Sequence, residues 1–337
     1  MSVMKRVWVA VLPIAAAATV LAAPVTVRLS TVAPVGTTWD DALRKMGADW
    51  AKATEGRVSL RITGGAGQGS EATVIRYMRP EVNQVDAALL TAGGLAMIDD
   101  SFNVFGIPFF FQSDAEEQAV REKLEPVLVK RLEAKHFHLL SWGHGGWVEL
   151  FSTIPIKSLA DVKKAKLWTS AGGTDMTKWY TSNGFNPVAM EATNIAQGLG
   201  TGMINATPMP PYLAVSLQIS RTAKYMLDIN VDPLIGALII TDGMWNKIDA
   251  ADRDKVVAAA KTLGATLQTK VPAQDDASVA AMQGKGLTVT KLDAAGAAAF
   301  RAEADKLATT MRGGMVPADV YDLAVQSRDA YRKSHGK

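Results

Sequence analysis

Four histidines (His136, His138, His144 and His335) and no cysteine set the limits on chemistry in this chain. The missing thiols remove thiolate nucleophiles, zinc–cysteine centres and disulfides. His136 and His138 stand two apart in an alternating run, so a strand puts both on one face, a spacing that can hold a metal ion. No Asp- or Glu-bearing partner motif stands beside them, and the pair reads as a polar strand face. "HGGW" (His144–Trp147) resembles an esterase oxyanion loop, but that chemistry needs a Gly-x-Ser-x-Gly turn that the sequence lacks. "GGAGQG" (Gly64–Gly69) has neither the Lys-Ser/Thr of a P-loop nor dinucleotide spacing, and reads as a turn aiming amide N–H groups at a cleft. No paired carboxylates stand at informative spacing. The residues argue for binding without catalysis, and for no cofactor.

Aromatic side chains carry more. In open α/β sheets ligands bind beyond the carboxyl ends of the strands. Trp39, Thr91, Trp142, Trp147 and Trp168 all fall at or near such ends and are candidates to line a cleft. Trp50, Trp179 and Trp245 read as core.

Strands and helices must alternate to hold those groups in place. "VTVRL" and "VSLRI" alternate apolar and polar residues, and Trp39, Leu43, Met46, Trp50 and Ala53 recur at spacings of four and three on one helix face. With helical "SEATVIRYM" ending before Pro80 and apolar "DAALL" from Asp86, this predicts βαβαβ and a parallel sheet. The rhythm returns in "AKLWT", "GTDMTKWYTSNG", "NPVAM", "TNIAQGLGTG" and "MINA", the last predicted as a short strand ending before Pro208. "FHLLSWGHGGWVELFST" is long enough to cross from one α/β lobe to another. The run from Asp249 to about Gly284 reads as helix, "LTVTKL" as a strand, and 293–334 as helix throughout.

At 337 residues the chain favours one large or two medium domains. Hydrophobic residues make up 48% and charged ones 20%, an ordinary soluble composition, and the net charge is only +3. Two of those positives, Lys5 and Arg6, open "MSVMKRVWVAVLPIAAAATVLAAP", which reads as a secretory signal peptide cleaved after Ala22 or Ala23. Its apolar run is short for a membrane span and contains Pro13. The remainder has no basic stripe and therefore no nucleic-acid partner. A secreted chain without cysteines fits the bacterial periplasm.

Several stretches in order resemble the DctP-type periplasmic solute receptors of tripartite ATP-independent periplasmic (TRAP) transporters: "EGRVSLRITGGAGQGSE" (Glu55–Glu71), "FNVFGIPFFFQSDAEE" (Phe102–Glu117), "IPIKSLADVKKAKLW" (Ile154–Trp168) and "GFNPVAMEATNIAQGLGTGMINATP" (Gly184–Pro208). The resemblance implies an α/β, type II periplasmic-binding-protein fold: two α/β lobes, inter-lobe crossing strands and a long spanning helix, closing on a ligand by hinge motion. The expected division is a signal peptide at 1–23, lobe I from 24–146 plus about 230–265, and lobe II from 147–229 plus about 266–337 with bracing C-terminal helices. Implied partners are a small-molecule ligand and the small and large TRAP membrane subunits.

One departure bears on ligand class. Family members usually carry an arginine that clamps the ligand carboxylate where this chain has Leu167-Trp168-Thr169, and a second arginine near the place of Trp147-Val148. Asn205 matches the family's Asn/Asp-bearing segment, and Glu71 holds the post-glycine position. A carboxylate in a closed, dry cleft costs several kcal/mol unless paired, typically by bidentate Arg. Tryptophan offers one N–H and a face that attracts cations and apolar groups. The expected ligand is therefore uncharged, apolar or aromatic. The expected site is Trp168 with Trp147, Trp142, Trp39, Thr91, Phe109, Met190, Asn205, Met209 and Glu71, with Met203 nearby. The alternatives are an organic acid held by other groups, Arg76 and Lys178 among them, or a ligand-presenting sensor or lipid-handling module.

Overall fold

The computed structural model describes residues 23–65 and 69–336, so all but the last residue of the expected signal peptide lies outside the described residues. In chain order the strands are β1 (Val25–Thr31), β2 (Val58–Thr63), β3 (Ala87–Thr91), β4 (Phe137–Trp147), β5 (Glu149–Ser152), β6 (Lys166–Ser170), β7 (Asn186–Met190), β8 (Ala206–Met209), β9 (Tyr225–Asp228), β10 (Pro233–Thr241) and β11 (Thr288–Lys291). The helices are α1 (Thr38–Ala53), α2 (Glu71–Met78), α3 (Ala92–Ala96), α4 (Asp114–Glu133), α5 (Leu159–Lys164), α6 (Thr174–Ser182), α7 (Ile195–Thr201), α8 (Pro211–Ser216), α9 (Asp242–Trp245), α10 (Ala250–Gln283), α11 (Ala294–Thr309) and α12 (Ala318–Ser334).

The strands form two sheets. Sheet I has the order β2-β1-β3-β10-β4 and sheet II the order β11-β9-β5-β8-β6-β7. β1 pairs in parallel with β2 and β3, as the βαβαβ pattern predicts, while β10 is antiparallel to both β3 and β4. In sheet II, β6 runs parallel to β7 and β8, and β5 is antiparallel to β8 and β9. Alternation gives each sheet two apolar faces. One face of sheet I packs with Phe102, Phe105 and the α4 leucines, the other with α1 and α10. Sheet II is likewise covered on both sides.

Local signals explain most of these elements. Thr37 caps α1 through its hydroxyl, and Trp39, Leu43, Met46 and Trp50 are buried as the spacing predicts, while Ala53 is exposed. Two elements differ from the expectation. The helix over 293–334 is broken, because Gly313 at φ +75° and Pro317 stop it and a bridge between Arg312 and Val316 closes the turn. β8 begins after Asn205 and runs through Pro208. β6 meets β8 at Leu167–Ala206, so at Pro208 that edge of β8 asks for no backbone donor.

The chain crosses between sheets at two places. β4 ends at Trp147 and β5 begins at Glu149, while residues 229–232 join β9 to β10. The two crossings pair with each other: Val148 N–H donates to Asp232 O and Val231 N–H to Val148 O, both at 2.9 Å. Alongside them α10, about 50 Å long for 34 residues, buries Val256, Ala260, Leu263, Leu267 and Val271 against sheet I. Farther along it buries Met282 against sheet II. At the junction Asp275 of α10 accepts the Tyr212 N–H at 2.9 Å, and its other oxygen fills the place a side chain at Gly146 would need. Gly146 also has φ +84°, so two independent constraints demand glycine there. Gly146→Ala is expected to cost about 3 kcal/mol in denaturant unfolding; a loss below about 1 kcal/mol would show that Asp275 and α10 yield readily.

Candidate functional site

Topology places a cleft. β4 points its carboxyl end at the crossing and shares its direction with β1, β2 and β3; β9 does the same from sheet II and shares its direction with β6, β7 and β8. The carboxyl ends of both sheets therefore face each other across residues 146–149 and 229–234. The lips touch: Gly172, after β6, lies so close to Met97 and Ala72 of the opposite lobe that a Cβ there would overlap the Met97 methyl. The structure is a closed form.

Two of the expected tryptophans stand at this junction with their N–H groups already engaged. Trp147 Nε1 donates to Asp114 Oδ1 at 2.7 Å, and His144 Nε2 lies 3.1 Å from the same oxygen. The imidazole and the indole together hold the Asp114 carboxyl below its usual range against the opposing effect of burial. Trp168 Nε1 donates to the Met190 carbonyl at 3.1 Å, which lays the half-buried indole along β7 toward the cleft. Its neighbours there include Val188 and Met190, on the cluster of Phe151, Ile195 and Met209. The third, Trp39, is buried in the first turn of α1 and its Nε1–H finds no acceptor among the described residues.

Carboxyls line the same junction. Glu149 accepts the N–H groups of Ile229 (2.7 Å) and Asn230 (3.2 Å), yet burial, with Asp228 and Asp275 adding, pushes its carboxyl up to about 8. Burial likewise raises Asp232 to about 7 and Asp275 to about 6. Glu71 accepts both the N–H (2.6 Å) and the hydroxyl (2.8 Å) of Thr91, and burial pushes it to about 7 in spite of them. These two expected site residues thus meet each other at the carboxyl end of β3. Among the described residues no arginine or lysine hydrogen-bonds or ion-pairs with Trp147, Trp168 or these carboxyls.

Other expected residues lie elsewhere. Trp142 falls five residues short of the end of β4 and packs behind sheet I, its ring 5.5 Å from Phe105 and its Nε1 donating to Glu125. Asn205 precedes β8 at the amino end of sheet II, where its side chain accepts the Lys166 N–H at 2.7 Å. Phe109 turns away at φ +58°, meets Phe300 edge-on at 5.1 Å and walls an apolar cavity of about 60 Å³ behind sheet II with Tyr180 and Phe185. Met209 is buried beneath the Trp168 cluster, and Met203 is exposed in the loop before β8. Arg76 is exposed over the Tyr77 ring, and Lys178 is exposed beside Asp175. His136 and His138 do gain a carboxylate, Asp242, which the antiparallel pairing of β10 with β4 brings to 3.0 and 2.6 Å. Among the described residues no group of three or more His, Cys, Asp or Glu is arranged to hold a metal ion. Sequence reading missed Asp114, Glu149 and Asp275, because each acquires its role from partners 30 to 80 positions away or on another element.

The family described as bacterial extracellular solute-binding protein, family 7 (DctP) matches residues 29–312. The sialic acid-binding periplasmic protein SiaP of Vibrio cholerae is 20% identical over 306 residues, covering 87% of this chain and 91% of that protein. A TRAP periplasmic solute-binding protein from Pseudomonas putida F1, solved with bound D-glucuronate, superposes with a TM-score of 0.81 at 19% identity, over 91% of this chain and 97% of that one. DctP7 of Bordetella pertussis, an extracytoplasmic solute receptor binding pyroglutamic acid, gives 0.81 at 18% identity over 90% and 99%. No helix among the described residues is long and apolar enough to cross a membrane.

Two outcomes follow from this geometry. The four raised carboxyls bind protons more tightly folded than unfolded, so their contribution is full below the unfolded pKa and is lost as pH rises through the folded values. The melting temperature should fall between about pH 5 and about pH 8, by on the order of a few kcal/mol of stability, and Glu149→Gln should flatten the upper part of that fall. A melting temperature that climbs over this window contradicts the assignment. At the lip, Gly172→Leu should hold the lobes apart, seen as a larger radius of gyration in solution scattering; an unchanged radius would make the Met97 contact incidental.

Proposed function

Because the chain belongs to the DctP family of bacterial extracellular solute-binding proteins, we propose that it is the receptor of a TRAP transporter whose cargo is uncharged, apolar or aromatic. The cleft between the sheets holds that cargo, Trp168, Trp147 and Met190 supply apolar surface, and the closed receptor hands it to the small and large membrane subunits. The observation that supports this most is the pair of indoles at positions 147 and 168, both with committed N–H groups. Neither has a donor left for a carboxylate, and an indole face repels anions.

Burial energetics point the same way. An anion enclosed in a dry cleft costs several kcal/mol unless a cation pairs with it. Here Trp147 rests on the Asp114 carboxylate beside His144, and the junction also carries the carboxyls of Glu149, Asp275 and Glu71, whose protonation is favoured by burial. A second anion would add like charge to that neighbourhood. The competing reading is an organic acid, since the Pseudomonas and Bordetella proteins bind D-glucuronate and pyroglutamic acid. Such a ligand would have to be held by groups other than these two indoles.

Mass spectrometry of receptor purified under native conditions from its own periplasm is the direct test. A neutral apolar or aromatic compound is expected; a retained sugar acid or dicarboxylate sinks the proposal. Trp168→Arg should weaken retention of that compound at least tenfold, roughly the loss of 1.4 kcal/mol, and should create measurable affinity for D-glucuronate. Unchanged retention would place Trp168 outside the pocket.

A further inference from the structure

Of the three indoles around the cleft, two give their N–H to the protein itself. The third does not. Trp39 is 7% exposed, and its Nε1–H has no acceptor among the described residues. A buried donor left unpaired costs about 1–3 kcal/mol, and native structures keep few of them without a reason.

Its orientation is imposed by two glycines. Gly143 of β4 and Gly236 of β10 face each other in register. A Cβ on Gly143 would come within 2.7 Å of Trp39 Cη2 and 3.0 Å of Cζ3, and one on Gly236 within 3.4 Å of Cη2. The six-membered ring thus lies against a bare patch of sheet, with Leu267 of α10 alongside. Nε1 belongs to the other end of the bicycle, so the N–H is carried by the edge away from that patch. The residue before it, Thr38, approaches Gln274 of α10 at 2.5 Å, and the next residue of α10, Asp275, holds the Tyr212 N–H at the start of α8. The free donor therefore stands in the first turn after the β1 carboxyl end, where sheet I, the spanning helix and α8 converge.

We infer that Trp39 reads a hydrogen-bond acceptor on the cargo, so the ligand is an uncharged molecule with an apolar body and a carbonyl, ether or hydroxyl oxygen set against the Trp39 Nε1–H. The indole is a donor only. It accepts no competing proton and confers a preference that ring packing alone cannot: a hydrocarbon of the same shape leaves the donor buried and unpaired, while an oxygen relieves it. Trp147 and Trp168 then supply surface, and Trp39 supplies orientation. This rests on the neutral-cargo reading above.

A matched pair of probes separates the two ideas. Acetophenone and α-methylstyrene have nearly the same shape and differ in C=O against C=CH2. Receptor carrying 15N-labelled tryptophan and freed of bound small molecules is titrated with each. Acetophenone is expected to bind roughly tenfold tighter, the worth of about one buried hydrogen bond, and to move one indole N–H resonance downfield. That resonance should be missing from Trp39→Phe, which keeps an aromatic ring on α1 but lacks the outer indole atoms that meet Gly143 and Gly236, and in this variant the two probes should bind alike. Equal binding to the unaltered receptor, or a preference that survives in Trp39→Phe, overturns the role of Trp39 alone. A receptor that takes D-glucuronate and neither probe overturns the neutral-cargo reading beneath it.

Discussion

Two backbone hydrogen bonds govern this molecule: Val148 N–H to Asp232 O, and Val231 N–H to Val148 O. They hold the two crossing segments side by side, so the two sheets are joined along one shared line. Everything at the cleft is referred to that line. Glu149 ties the start of β5 to the end of β9, Asp275 ties the spanning helix to α8, and Gly146 lets that helix approach the crossing strand. Because each of these ties buries a carboxyl, rigidity at the crossing is obtained with acidic groups that hold their protons more firmly than they would in water.

Alternation and helix spacing made the layered α/β plan legible. Val25–Thr31, Val58–Thr63 and the buried face of α1 stand where their patterns put them, and the long run through "SWGHGGW" does cross from one sheet toward the other. The site was legible only in part. Trp147 ends β4 and Trp168 lies two residues before the end of β6, whereas Trp142, on the same α4 side as Trp147, stops five residues short of the strand's end. Asn205 precedes its strand at the amino end, because β8 begins at Ala206 and not, as the pattern "MINA" suggests, at Met203. Phe109 escaped because a left-handed φ at a bulky residue leaves no signature in composition. The acidic groups escaped for another reason: Asp114, Glu149 and Asp275 have no local pattern and acquire meaning only when folding brings an indole or a backbone amide to them.

The comparison with relatives sharpens the chemistry. The fold is that of receptors solved with D-glucuronate or pyroglutamic acid, at under 20% identity, so the scaffold persists through extensive change of side chains. The scaffold resides in sheet order and crossings. Between the sheets of this chain stand indoles with their hydrogens already given away and carboxyls whose protonation is favoured by burial.

The two engaged indoles differ in what accepts their hydrogens, and that difference has an evolutionary consequence. Trp168 donates to a backbone carbonyl, which persists whatever residue occupies position 168 or 190, so an arginine arising there would find the same acceptor and keep charge to spare. Trp147 donates to the side chain of Asp114. An arginine arising at 147 would be captured by that carboxylate and neutralised before any substrate arrived. Position 168 thus passes on a fixed backbone acceptor to any successor, while position 147 passes on a carboxylate whose own fate is decided on another helix.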